Sequence, residues 1–288
     1  MSVRAAVQSA APHVRRSRLR QLAFFAAACL AGCAGAGRAA APLDAPRSAR
    51  FLAIHQALPE SVRIQVLSKG EVGRTASGVC VAADRTTHRS WVLTNAHVAA
   101  QGDLPGAPSY RVVVEGPRGA TRSYEATLLA LGKVPEADLA LLEVPGADLR
   151  PALLAADDGP EVGEEVVVVG APFGRELSVS SGLVSSIVWS GGDGRLQDRL
   201  KTDAAIGYGS SGGGVFRVRD GRLLAVIEGY RTARVEMPLA NQTYGFDVPM
   251  PGETFAAPAA KIRRFLAAHR LLGLLGEEAG HRAVAVAK

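Results

Sequence analysis

The chain has few cysteines, histidines and aromatic residues, and these shortages exclude several classes of protein. Three cysteines in 288 residues, Cys29, Cys33 and Cys80, are too few for a disulfide-rich scaffold. The six histidines show no His-x-x-x-His spacing, and the glycine-rich turn near residue 210 lacks the lysine of a phosphate-binding loop. We therefore expect no metal and no cofactor. Cys80 lies in an apolar run, so we predict a buried small residue there.

Positive charge is concentrated at the N-terminus. Residues 1–32 contain five arginines and no lysine, aspartate or glutamate, so this segment holds most of the formal net charge of +6. The rest of the chain is close to neutral. It therefore gives little support to a surface that binds nucleic acid or an anionic membrane, and we expect no nucleic-acid partner.

Residues 1–32 are predicted to be an export signal. Basic residues at 15–20 precede the stretch 21–31, which is too short to span a bilayer comfortably. The stretch ends in Leu30-Ala31-Gly32-Cys33, which resembles the lipobox of bacterial lipoproteins and implies a lipid anchor on the cysteine. An ordinary cleaved signal with an incidental cysteine is the alternative. Because Ala34 and not Asp follows, we expect an outer-membrane anchor facing the periplasm.

Beyond residue 50 the chain consists of short apolar, β-branched runs separated by Gly, Pro and Asp turns. The predicted strands are 61–67, 76–83, 90–94, 110–115, 123–131, 139–144, 166–170, 177–189, 199–202, 215–218, 223–230 and 244–248. This spacing favours two antiparallel barrels or sandwiches over a parallel sheet with crossover helices.

Two helices and three further segments complete the predicted organisation. The helices are Ser48–Leu58 and Pro258–Leu272, the second with Ile262, Phe265, Leu266 and His269 on one face and Gly273 as its cap. The predicted domain occupies 51–275, with its first half at 59–145 and its second at 162–250. A flexible tether at 33–50 precedes it, and a tail at 276–288 follows.

Three segments supply, in chain order, the groups of an acyl-transfer site. His97 follows a predicted strand, Asp138 opens the apolar run Leu139–Leu142, and Ser211 lies in the glycine-rich turn 209–214. A serine hydroxyl is a weak nucleophile, so it needs a base such as His97, which Asp138 would orient. The backbone N–H groups of Gly209 and Ser211 would form the oxyanion hole.

Residues 59–272 resemble the protease domain of HtrA/Deg-type, trypsin-like serine proteases. Beyond the three catalytic segments, the matching stretches are Ser77-Gly78-Val79, Leu93–Val98, Val162-Gly163, Val166–Gly170, Ala171–Gly174, Val179–Ser185, Thr202–Ile206 and Tyr244–Pro249. The resemblance implies an all-β fold, a double six-stranded antiparallel β-barrel with a C-terminal helix and a site between the barrels. It gives His97 as base, Asp138 as its orienting acid and Ser211 as nucleophile.

The resemblance also implies a substrate-binding surface. The strand 226–230, including Val226, Ile227 and Glu228, would pair with an extended peptide, and Ile206 would line the main specificity pocket. Too few residues follow the last predicted helix for a PDZ domain, so we expect none.

Several residues depart from the family pattern. Ser210 stands where Asn is usual and is a rival hydroxyl to Ser211, and Gly214 replaces Pro or Ala. Tyr208 replaces a small or polar residue. Glu228 and Asp247 are acidic where the family is often neutral, and each either faces the pocket or is a surface carboxylate.

Two functions follow from the sequence. The leading hypothesis is a serine endopeptidase of the cell envelope that cleaves exposed or unfolded polypeptide through an acyl-enzyme on Ser211. The alternative is a non-catalytic, trypsin-fold lipoprotein that binds peptides like a chaperone, which the altered neighbours of Ser211 suggest. The predicted partners are a polypeptide substrate, a membrane through Cys33, and further copies of the chain in a possible homo-oligomer.

Overall fold

A computed structural model describes residues 47–156, 159–191, 196–239 and 242–276. Within these ranges, twelve strands form two closed six-stranded antiparallel barrels, which confirms the predicted fold class. The predicted signal peptide, the lipidated Cys33, most of the tether and nearly all of the tail lie outside the described residues. In the described ranges no helix has both the length and the apolar character that crossing a membrane requires.

In the first barrel, alternate residues along the strands face inward. Its strands are β1 (Ser61–Ser68), β2 (Glu71–Asp84), β3 (Arg89–Thr94), β4 (Ser109–Glu115), β5 (Thr121–Leu131) and β6 (Ala140–Pro145). They are ordered β1-β2-β3-β6-β5-β4, and pairing of β4 with β1 closes the barrel. Val62, Ile64 and Val66 alternate along β1 and are fully buried, as a period of two requires. Cys80 is buried, as predicted, and forms no disulfide with a described residue.

The second barrel has the same design. Its strands are β7 (Glu165–Gly170), β8 (Ser178–Ser190), β9 (Leu196–Thr202), β10 (Gly214–Arg217), β11 (Leu223–Leu239) and β12 (Gln242–Pro258). The order is β7-β8-β9-β12-β11-β10, and β10 pairs with β7 to close the ring. Because β7 is buried along Val166–Val169, it reads as a continuous apolar run in the sequence.

The first helix, α1 (Ala49–Ala57), lies within one residue of its predicted bounds, and a one-turn helix, α2 (Ala96–Ala99), follows β3. Ser48 caps it, with its hydroxyl accepting a hydrogen bond from the N–H of Phe51 at 3.2 Å. The helix includes the last two residues of the predicted tether, and Arg50 forms an exposed ion pair with Glu165. The tether prediction is therefore too long at its C-terminal end.

The C-terminal helix, α3 (Ala259–Ala268), is shorter than predicted. Its buried face contains Ile262, Phe265 and Leu266, whereas His269, predicted on that face, is exposed. The helix ends because Arg270 adopts a left-handed conformation (φ 60°), and the N–H of Leu271 then reaches the carbonyl of Leu266 at 2.8 Å. Gly273 therefore does not cap the helix; it lies in the 3₁₀ turn Leu272–Leu275.

Residues 244–248, predicted as the last strand of the second barrel, lie in β12 but outside the part of it that closes the barrel. Barrel pairing between β9 and β12 involves Thr254–Ala256, about ten residues after the predicted strand 244–248. From Thr232 and Pro249 outward, β11 and β12 pair only with each other. We call this two-stranded extension, residues 232–239 and 242–249, the ribbon. The stretch Tyr244–Pro249, which supported the resemblance, belongs to the ribbon, and the barrel ends at Pro258 and not near residue 250.

Candidate active site

His97 and Asp138 are brought together by the pairing of β3 with β6. Thr94 pairs with Ala140, so the residues just beyond these strand ends are neighbours. His97 lies in the short helix α2 (Ala96–Ala99), which begins directly after β3. One carboxylate oxygen of Asp138 lies 2.6 Å from His97 Nδ1, and the other accepts the backbone N–H of His97 at 2.9 Å. Asp138 therefore fixes both the ring and the backbone of His97.

The His97 imidazole is partly exposed and is held by Asp138. The His97 side chain is 42% exposed, whereas that of Asp138 is only 13% exposed. A neutral imidazole that carries its proton on Nδ1, facing Asp138, leaves Nε2 as an acceptor. Asp138 is thus a partly buried carboxylate beside a more exposed imidazole.

Arg74 of β2 supports His97 from the other side, a role the sequence did not predict. Its guanidinium donates hydrogen bonds to the carbonyl oxygens of His97, Val98 and Ala100 at 2.8–3.0 Å. These carbonyls lie at the C-terminal end of α2 and have no partner within so short a helix. The cation satisfies them, and it also pairs with the exposed Asp103.

The glycine-rich turn 209–214, called the nucleophile turn because it holds the predicted nucleophile Ser211, has glycines at two crowded positions. Gly209 and Gly212 have positive φ angles of 91° and 84°. A Cβ on Gly212 would lie 2.1 Å from the carbonyl oxygen of Ser77, and one on Gly209 would lie 2.8 Å from the carbonyl oxygen of Ala171. Only glycine combines this conformation with this close approach of backbone.

Two backbone donors of this turn have no partner among the described residues. The carbonyl of Tyr208 accepts a hydrogen bond from the N–H of Phe173 at 2.6 Å. In a planar trans peptide the N–H is opposite to the C=O, so the N–H of Gly209 points away from Phe173. Within the described part of the chain, neither this N–H nor that of Ser211 donates to an acceptor. An oxyanion hole requires two such donors that are free to bind the substrate.

Ser77 of β2 holds the turn from the first barrel. Its hydroxyl donates to the carbonyl of Gly209 and accepts the N–H of Ala171, both at 2.8 Å. Its own N–H donates to the carbonyl of Ser211 at 2.8 Å. The sequence marked Ser77 only as part of a matching stretch, because a lone hydroxyl in a strand gives no signal of a contact 132 residues away.

The structure separates the two neighbouring serines. Ser210 is 2% exposed, and its hydroxyl accepts the N–H of Gly207 at 3.3 Å, so it stabilises the turn. Ser211 is only partly buried. Among the described residues, its hydroxyl forms no hydrogen bond, including none with His97. Catalytic hydrogen bonds are often formed only when the substrate is bound.

The first two residues of the predicted substrate strand are not free to bind a peptide. Val226 and Ile227 lie between β10 and β12, and Ile227 exchanges hydrogen bonds with Gly212 and Gly213 at 2.8–2.9 Å. Their backbone groups are therefore already paired and are not available to a peptide. The unpaired edge of β11 begins at Glu228, next to the nucleophile turn. Ile206 is partly buried against the second-barrel core.

Glu228 is neither a surface carboxylate nor a pocket carboxylate. Its side chain is 4% exposed, and it accepts a hydrogen bond from Lys261 Nζ of α3 at 3.2 Å, with Arg199 at 3.7 Å. Burial raises the pKa of Glu228, and the two cations partly oppose that effect. Its carboxylate thus ties β11 to α3. Asp247 is exposed in the ribbon, 3.9 Å from Arg234.

Comparison with known proteins agrees with this geometry. Residues 76–226 match the model of the trypsin-like peptidase domain. The chain belongs to the trypsin-like peptidases. Among curated relatives of this peptidase, serine protease HTRA1B of Danio rerio is 31% identical over 250 residues, 82% of this chain and 45% of that protein. A probable periplasmic serine endoprotease, DegP-like, of Ectopseudomonas mendocina is 33% identical over 165 residues, 57% and 31% of the two chains.

The peptidase spans less than half the length of these curated relatives. Among solved structures, Deg5 superposes with a TM-score of 0.55 at 22% identity, covering 75% of this chain and 91% of that one. The HtrA-type protease AlgW with tripeptide gives a TM-score of 0.56 at 24% identity, covering 80% and 64%. These structures share the fold of this chain.

Proposed function

We propose that this peptidase is a serine endopeptidase that acts through an acyl-enzyme on Ser211. The observation that carries the proposal is the double hydrogen bond of Asp138 to His97, set beside a turn with two unpaired N–H donors. His97 Nε2 would remove the proton of the Ser211 hydroxyl as its oxygen attacks the scissile carbonyl. Charge that develops on the carbonyl oxygen would be stabilised by the N–H groups of Gly209 and Ser211.

Attack by Ser211 gives a tetrahedral intermediate. Its collapse breaks the peptide C–N bond, and protonated His97 gives its proton to the leaving amine. Water then attacks the ester carbonyl with His97 again as base, which releases the acid and restores Ser211. Asp138 stabilises the imidazolium in both steps. No metal or cofactor is needed for this cycle.

The proposed substrate is an exposed or unfolded segment of polypeptide. Backbone pairing with the free edge of β11, from Glu228 onward, requires an extended chain. Because the Glu228 carboxylate is buried against Lys261, it offers no charge to a basic substrate side chain. Ile206 favours a small or medium apolar side chain at the pocket.

We further propose that the protein is anchored to the cell envelope through Cys33, on the periplasmic side of the outer membrane. The support is the Leu30-Ala31-Gly32-Cys33 sequence after a basic, apolar leader. The variant Cys33→Ser should lose labelling by radioactive palmitate and leave the membrane fraction or accumulate unprocessed. Unchanged, lipid-labelled membrane protein would contradict the anchor.

A fluorophosphonate probe tests the catalytic proposal directly. We expect labelling of the full chain at Ser211, located by mass spectrometry, and loss of labelling in Ser211→Ala and in His97→Ala. Ser210→Ala serves as the matched control and should still be labelled. Absence of labelling on folded protein, with and without added unfolded peptide, would favour the peptide-binding alternative, which the missing Ser211–His97 hydrogen bond leaves as the second candidate.

A further inference from the structure

The ribbon carries an exposed apolar face that no described residue covers. Residues directly opposite each other on antiparallel strands share a face, and here the apolar pairs are Ala233–Val248, Val235–Phe246 and Met237–Tyr244. The five larger side chains among them are 38–54% exposed. The opposite face is polar and contains Arg234, Glu236 and Asp247, which form exposed ion pairs.

A two-stranded ribbon of this kind is only marginally stable alone in water, and contiguous exposed apolar surface marks an interaction site. Both edges of the ribbon are also unpaired in the described structure. β10 pairs with β11 only between Leu223 and Val226, and β9 pairs with β12 only between Thr254 and Ala256. The ribbon therefore offers an apolar face together with free backbone donors and acceptors.

The position of the ribbon indicates what binds there. The free edge of β11 starts at Glu228, one residue after Ile227 bonds to the turn that holds Ser211. The same strand then runs without a chain break into the ribbon. From Ile227 to Met237 it extends roughly 33 Å, at about 3.3 Å per residue. A peptide paired with the edge at the site would thus pass onto the ribbon if it were long enough.

We propose that the ribbon is an extended binding surface for the substrate polypeptide. It would bind about ten consecutive substrate residues that lie on one side of the scissile bond. These residues would be in β conformation, with apolar side chains at alternate positions. This inference rests on the proposed peptidase function. It specifies the substrate class as long unfolded segments with alternating apolar residues, because short peptides end before they reach Val235 and Phe246.

Peptide affinity tests the proposal without cleavage. The full chain with Ser211→Ala is titrated into a fluorescein-labelled six-residue peptide and into two longer probes. Each long probe adds twelve residues of alternating Val and Ser, on the N-terminal side in one and on the C-terminal side in the other. Fluorescence anisotropy gives the Kd of each. We expect one long probe to bind about tenfold tighter than the short one.

Two double variants provide the contrast. Val235→Ser with Phe246→Ser removes the centre of the apolar face, and should abolish the affinity gain of the long probe. Glu236→Ser with Asp247→Ser changes the adjacent positions on the polar face, and should keep that gain. All four residues are exposed, so both variants are expected to fold, which circular dichroism checks.

Three results would overturn the proposal: equal affinity for long and short probes, an equal loss in both double variants, or a ribbon-dependent dimer. The last is detected by sedimentation velocity and would assign the apolar face to a second copy of the chain. The peptidase function itself is read separately, by fluorophosphonate labelling of the chain with Ser211 intact. Labelling with no affinity gain rejects the ribbon alone, whereas an affinity gain without labelling rejects the peptidase function alone.

Discussion

Replacing Ser77 by alanine should damage catalysis more than its distance in sequence from Ser211 suggests. Ser77 is 1% exposed, and its hydroxyl bridges the carbonyl of Gly209 to the N–H of Ala171. Removing it leaves one buried acceptor and one buried donor without a partner. At about 1–3 kcal/mol for each group, the free energy of unfolding should fall by about 2–6 kcal/mol.

The catalytic effect follows from the geometry of the turn. The Gly209 carbonyl is one of the contacts that fix the orientation of the turn, and the neighbouring N–H groups are the proposed oxyanion donors. Complete loss of such a donor typically slows acyl transfer about 100-fold to 1,000-fold. A donor that is loosened but present should cost less, so we expect kcat to fall about 10-fold to 100-fold in Ser77→Ala, with a smaller change in KM.

Ser90 provides a matched control in the same barrel. It is also fully buried, and its hydroxyl donates to the carbonyl of Ala147 at 2.7 Å and accepts the N–H of Leu149 at 3.1 Å. Ser90→Ala therefore loses the same pair of hydrogen bonds away from the site. Urea denaturation should show similar losses of stability in both variants, while kcat, normalised by active-site titration, should fall only in Ser77→Ala.

Equal kcat values in the two variants would refute the reasoning, because Ser77 would then have only a structural role. Ser77→Thr adds a second test. It keeps a hydroxyl within reach of the Gly209 carbonyl, so it should recover part of the lost kcat.

Three further variants test other parts of the structure. Asp138→Asn keeps only one acceptor for the two N–H groups of His97, so kcat for peptide cleavage at pH 7 should fall about 10⁴-fold with KM little changed. Burial raises the pKa of Glu60 from 4.5 to about 7, so its protonated form stabilises the fold below pH 4.5 and that contribution is lost as the pH rises through about 7. Between pH 4.5 and 8 the free energy of unfolding, measured by urea denaturation, should fall by about 3 kcal/mol because of Glu60, and Glu60→Gln should remove this fall. The same pH dependence of the free energy of unfolding in Glu60→Gln would contradict the raised pKa. Gly214→Ala places a Cβ 2.4 Å from the Phe216 ring and should cost about 1–3 kcal/mol of stability, which Phe216→Leu in the same chain should partly restore.

An antiparallel fold in two halves, barrels or sandwiches, could be predicted because its strands are short apolar runs separated by turn residues, and the family resemblance then implied the double barrel. The residues proposed as catalytic could be named from the sequence because each follows or precedes such a strand, and because glycines mark the turn at Ser211. Such patterns involve only residues that are close together in the sequence. The burial of Ile262, Phe265 and Leu266 on α3 was predictable for the same reason.

Residues whose role depends on a distant partner could not be predicted. Arg74 and Ser77 are single polar residues in one strand, and their partners lie 23 to 132 residues away. The burial of Glu228 could not be predicted, because the cation that pairs with it, Lys261, lies 33 residues further along the chain on α3. The part of β12 that closes the barrel could not be identified, because residues 244–248 in the ribbon show the same alternation as a barrel strand. Only the pairing of β9 with Thr254–Ala256 distinguishes the barrel part of β12 from the ribbon.

The three departures from the family pattern beside Ser211 are compatible with a formed active site. Gly214 is required because the ring of Phe216 fills the space that a Cβ would occupy. Ser210 is buried and bonds within the turn. The Tyr208 carbonyl bonds to Phe173, which turns the N–H of Gly209 away from Phe173, while the Tyr208 side chain is exposed. Each departure has a structural role that leaves the nucleophile turn intact.

These observations weaken the main argument for a protein that only binds peptides. A binding cleft requires a free strand edge and an apolar surface, which β11 and the ribbon supply without any help from His97. It has no need of an imidazole held by two hydrogen bonds to one carboxylate, with Arg74 bonded to the carbonyls around it. Such restraint on one side chain is useful only where a proton must pass between fixed atoms, and this favours catalysis by Ser211 over binding alone.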